Sequence, residues 1–93
     1  MDFFKKNLEE TLEAINNYIE KNINVVSVKH IRTYYGIKSS NRSKINFIWR
    51  SLDYLTSQGV LRVNGATNPK KYIIEPQKKI DIKQFLIHRK NNR

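Results

Sequence analysis

The stretch "LDYLTSQGVLRV", Leu52 to Val63, changes period at its middle. Leu52 and Leu55 keep the spacing of one helix face, Gly59 stops the helix, and "VLRV" continues as an aliphatic, β-branched run suited to a strand. A helix that ends on a glycine and feeds straight into a hairpin organises everything on either side of it.

Reading backwards, the helix reaches from about Asn41 to Gln58. Ile45, Ile48, Trp49, Leu52 and Leu55 recur at three- and four-residue intervals and form a core-facing stripe. At about 100° per residue, Ser43, Asn46, Phe47, Arg50 and Tyr54 point away from it. An aromatic, an amide and a guanidinium together on an outward face are unusual for a helix that merely covers a core. Before this helix, "KSSN" is a polar turn with Ser39, Ser40 or Asn41 as the cap, and Gly36 closes a second helix that Ser27 opens. "NVVSV" predicts a short strand ahead of Ser27. The first helix has Asp2 as its expected cap, Phe4, Leu8, Leu12, Ile15 and Ile19 on one stripe, and Glu9, Glu10, Glu13 and Glu20 outside it.

Reading forwards, "VLRV" and "KYII" flank "NGATNPK", so residues 60–75 form a hairpin with a basic tip at Lys70 and Lys71. Pro76 ends the second strand because it cannot donate to a ladder. A last helix over about 80–90 opens at Asp81, with Gln84 placed for a capping box and Ile80 and Phe85 for a hydrophobic staple. The chain thus reads as a single domain over 1–93, mainly α with a small β-hairpin, with its core over residues 8–75 and an extra C-terminal helix. A helix that short is not stable alone in water. Its apolar residues Ile82, Phe85 and Leu86, with or without Leu8 and Leu12 of the first helix, are therefore expected to form a homodimer contact.

The 93 residues carry 18 Lys and Arg against 8 Asp and Glu, a net charge of +10. The excess is uneven: residues 27–74 hold nine bases and one acid, Asp53. Such a segment repels itself unless it meets a polyanion, which points to nucleic acid. The composition also excludes several classes. Without cysteine there is neither a disulfide framework nor a thiolate metal site, and His30 and His88, the two histidines, have no matching carboxylate cluster. Scattered acids and the lack of a glycine-rich phosphate loop argue against an enzyme and against any cofactor. No apolar run approaches the roughly 20 residues of a membrane span. Met1 to Lys21 is acidic and amphipathic rather than a signal peptide, so a cytoplasmic protein with no membrane partner is expected.

"SVKHIRTYYGI" and "LDYLTSQGVLRV", in the order helix, strand, helix, turn, helix, hairpin, resemble the winged helix-turn-helix family over about residues 8–75. Two positions depart from the commonest pattern: His30 stands where an acidic capping-box residue is frequent, and Arg32 replaces a small residue where two helices cross. Arg32 is expected to point outward and add to the basic surface. In size and composition the chain is similar to the small winged-helix proteins of archaeal plasmids and viruses, including centromere-binding segregation proteins that work with a ParB-like adaptor.

The resemblance implies that the third helix enters the major groove of double-stranded DNA. Asn46 would then pair with adenine, Arg50 with guanine or a phosphate, and Phe47 would meet a thymine methyl. Lys38, Ser40, Asn41, Arg42, Ser43 and Lys44 would grip the backbone, and the wing, through Asn64, Asn68, Lys70 and Lys71, would track the flanking groove or its phosphates. A homodimer would place two such helices on a palindromic site, in plasmid partition or transcription regulation. The competing reading is a winged-helix protein–protein adaptor without direct DNA readout.

Overall fold

The computed structural model describes residues 3–64 and 70–91. Its elements follow in the order α1 (Phe3–Glu20), β1 (Val25–Val26), α2 (Val28–Tyr34), α3 (Arg42–Ser57), β2 (Leu61–Val63), β3 (Tyr72–Ile74) and α4 (Ile82–Asn91). The chain is mainly helical with a small antiparallel sheet, as the sequence implies. The hairpin gains a third strand, however, because β1 pairs with β3 and gives the order β1-β3-β2. Val26 and Val63 both lie opposite Tyr72, and Leu61 opposite Ile74, so the inward side chains of β3 and β2 are Tyr72, Ile74 and Leu61, all buried.

Three helices close in the same way. After α1, Ile23 N–H donates to Tyr18 O and Asn22 N–H to Ile19 O. After α2, Ile37 N–H donates to Arg32 O and Gly36 N–H to Thr33 O. After α3, Val60 N–H donates to Leu55 O and Gly59 N–H to Thr56 O. Each pair satisfies carbonyls left over at a helix end and needs a left-handed residue between them. Asn22 (φ 61°), Gly36 (φ 66°) and Gly59 (φ 82°) supply it. The starts are equally explicit. Ser27 Oγ accepts from His30 N–H, and Asn41 Oδ1, of the three candidate caps, accepts from Lys44 N–H. His30 does not complete a capping box: its Nδ1 meets the Ser27 hydroxyl, 3.0 Å from Oγ, rather than the backbone N–H of the cap. Arg32 is not the outward base expected of it: its Nη1 donates to Ile37 O at 3.0 Å and braces the turn between α2 and α3.

Leu8, Leu12 and Ile15 of α1 meet Ile31 of α2, Ile48, Leu52 and Leu55 of α3, and the sheet residues Leu61, Tyr72 and Ile74 in one core. That core does not stop at residue 75. Asn16 clamps the incoming tail, its side-chain amide donating to Ile80 O at 2.9 Å and accepting from Ile80 N–H at 2.7 Å. Asp81 Oδ1 then accepts from Gln84 N–H, and Lys79 pairs with Glu20. Leu86 is buried, Ile82 and Phe85 pack against the core, and the Phe85 ring meets Tyr54, which in turn meets Phe4 edge-on at 5.8 Å.

This corrects the dimer contact expected from the sequence. Leu8 and Leu12 are fully buried and Leu86 nearly so, while Ile82 and Phe85 are half-covered by their own chain. Of the tail's apolar residues, Leu86, Ile82 and Phe85 pack within the molecule, while Ile87 is exposed. The cap assigned to Asp2 lies outside the described residues.

Candidate nucleic-acid interface

The inner stripe of α3 fixes what its outer face presents. With Ile48, Ser51, Leu52 and Leu55 buried, Arg42, Ser43, Asn46 and Arg50 are exposed on the other side. The preceding turn adds Lys38, Ser40 and Asn41, also exposed, with Asn41 engaged through Oδ1 as the helix cap. These residues are adjacent by chain and by helix pitch, so they form one polar, basic surface at the N-terminal half of α3.

Lys44 does not join that surface. Its Nζ lies 2.7 Å from Glu10 Oε1 of α1, and both side chains are largely covered. Its flank faces α1 because it sits beside the buried stripe. Two other bases are likewise matched: Arg62 with Glu75 at 2.6 Å and Lys79 with Glu20 at 3.1 Å. Among the described residues, no carboxylate lies within ion-pair distance of Lys38, Arg42, Arg50 or Lys71. Asp53, the lone acid of residues 27–74, accepts a hydrogen bond from the Tyr72 hydroxyl at 3.1 Å. Burial, then the charge and hydrogen bond of Asp53, push the Tyr72 hydroxyl well above the usual phenol range and keep it a donor.

The aromatic residues of α3 divide by flank. Tyr54 is half-buried, its ring packed edge-on against Phe4 and Phe85. Phe47 is half-buried, with its ring 6.4 Å from Phe3, and the Arg50 guanidinium carbon sits 5.7 Å from its centroid. Phe3 is a contributor that the sequence reading missed. Its signal was present, since Phe3 precedes Phe4 on the stripe and so falls on the neighbouring flank.

On the opposite flank, Lys70 Nζ lies 5.7 Å from the Trp49 ring and 5.9 Å from the Tyr72 ring. Lys70 is therefore folded onto the root of the hairpin rather than projecting from a free tip. Lys71 and Asn64 are exposed, and the Asn64 N–H donates to Lys71 O across the hairpin. Asn68 lies outside the described residues. Trp49 and Asp53 stand four apart on α3, the spacing that places two side chains on one flank. That spacing was the available hint that both face the hairpin.

Among the described residues no cluster of His, Asp and Glu could hold a metal ion, and no helix is long and apolar enough to cross a membrane. A groove of about 310 Å³ lined by Ile19, Asn22, Ile23, Asn24, Ile74, Pro76 and Gln77 contains no titratable side chain. Comparison of the chain with protein-family models, curated proteins and solved structures finds no match.

Proposed function

We propose that the chain is a winged helix-turn-helix protein that binds double-stranded DNA, with α3 in the major groove and the β2–β3 hairpin on the flanking groove or backbone. One observation carries the reading. Lys44, Arg62 and Lys79 are matched by acids within the molecule, whereas among the described residues no acid matches Arg42 or Arg50, which stand beside Asn46 on the solvent face of a helix whose inner face is committed to the core. Unmatched guanidinium groups next to an amide are the donors that base edges and phosphates require. The α2–turn–α3 unit and the β1-β3-β2 sheet order support the family assignment, and α4 is an addition to it.

Binding as a homodimer to a palindromic site, in plasmid partition with a ParB-like adaptor or in transcription regulation, completes the proposal. A protein–protein adaptor of this fold would leave duplex DNA unbound. The test of base readout is substitution on the outer face. Asn46→Ala and Arg50→Ala should each cost about 1–3 kcal/mol on the preferred site and far less on random duplex. Equal losses on both substrates would show that these side chains hold phosphate and that bases are read elsewhere.

A further inference from the structure

Arg50 and Phe47 lie one turn apart on α3, and the guanidinium carbon is 5.7 Å from the ring centroid. Phe3 backs the same ring from α1, with centroids 6.4 Å apart. The three side chains form a contiguous cluster that runs from the start of α1 to the outer face of α3. It is not a piece of core, for Phe3 is 56% exposed and Phe47 only half-buried. No carboxylate among the described residues claims the guanidinium.

The spacing of Arg50 and Phe47 lets the two side chains reach neighbouring base pairs. A guanidinium that donates two N–H groups to O6 and N7 of guanine lies in the plane of that base. Stacked base pairs rise by about 3.4 Å, so a ring centred 5.7 Å from the guanidinium carbon lies within reach of the neighbouring pair. There the apolar group on the major-groove edge is the C5-methyl of thymine. The right-handed twist of the duplex carries the methyl of a pyrimidine toward the purine that follows it, which selects the thymine on the 5′ side of the guanine. We propose, resting on the DNA-binding reading above, that Phe47 and Arg50, held by Phe3, recognise a 5′-TG-3′ step. Arg50 takes the guanine edge and Phe47 takes the thymine methyl. Phe3 is a positioning residue that fixes the ring from behind.

The decisive substitution can be made in the DNA, which removes any question of folding. Duplexes selected from a random pool by the full chain should share a 5′-TG-3′ step, and replacing that thymine with deoxyuridine removes one methyl group and nothing else. Wild-type affinity, read by fluorescence anisotropy, should fall about fourfold, the factor for leaving one methyl unburied, while deoxyuridine at other thymines should cost little. The penalty should vanish for Phe47→Ala. Phe3→Ala should reduce it. Three outcomes overturn the proposal while leaving DNA binding standing: selected sites without the step, a wild-type protein indifferent to the methyl, or a methyl penalty that persists in Phe47→Ala. A protein that binds no duplex at low salt overturns both readings together.

Discussion

Gly59 holds a φ of 82°, and a Cβ built there meets no atom within 4 Å. Only the backbone conformation therefore penalises a side chain. Gly59→Ala is expected to lower stability by about 1–2 kcal/mol, read from the midpoint of chemical denaturation, with no change in DNA affinity under conditions where the protein is folded. An unchanged midpoint would mean that the turn after α3 relaxes and does not set the entry into β2. Gly59 and its role were legible because a glycine stop between a helical and an extended run has one simple explanation. Lys44 was not legible. Its partner Glu10 is 34 positions away, and nothing near Lys44 tells a base that faces α1 from one that faces solvent. The same limit applies to Arg32, whose bond to Ile37 O depends on the left-handed turn at Gly36, and to Lys70, whose aromatic partners come from two different elements.

At the scale of elements, the helices, their caps and the hairpin were readable because period and capping chemistry are local. What α4 packs against was not. A helix of ten residues that carries Ile82, Phe85 and Leu86 needs a covering surface, but its sequence does not say whether that surface belongs to the same chain. The structure places it on α1, through the Asn16 clamp at Ile80, burial of Leu86 and the Phe4–Tyr54–Phe85 ring sequence. The consequence for truncation is the reverse of the one a tail-mediated dimer would give. Leu86→Ala should cost about 2–4 kcal/mol, within the range for a buried leucine, and removal of the chain after Gln77 should lower the unfolding midpoint by at least as much. A truncated chain as stable as the full one would show that α4 does not belong to the core. The third strand was half-legible in the same sense: "NVVSV" announced a strand, but its pairing with Tyr72 and Ile73 is a long-range fact.

Over the whole molecule, the acidic first helix and the basic remainder turn out to be partly one system. Glu10 and Glu20 of α1 pair with Lys44 and Lys79, whereas Lys38 in the turn, Arg42 and Arg50 on α3 and Lys71 on the hairpin meet no carboxylate at ion-pair distance among the described residues. That division could be anticipated from the uneven charge along the sequence, but not which bases would be matched. The proposed homodimer would need a surface other than the one expected from the sequence. With Leu8, Leu12 and Leu86 inside, the exposed apolar residue of α4 is Ile87, at 52%, and Ile87→Glu is expected to convert a sedimenting dimer to a folded monomer. A dimer that survives the substitution would place the contact away from α4. The central claim is that the unmatched bases around α3 meet DNA phosphates and bases, and its most direct test is binding to random-sequence duplex as a function of salt. The account predicts a linear fall of log affinity with log salt concentration, flattened by about 0.9 for each phosphate contact removed in Arg42→Ala and Lys71→Ala, with Arg62→Ala leaving the slope as it was. Absence of duplex binding at low salt, or a slope that none of these substitutions alters, would contradict it.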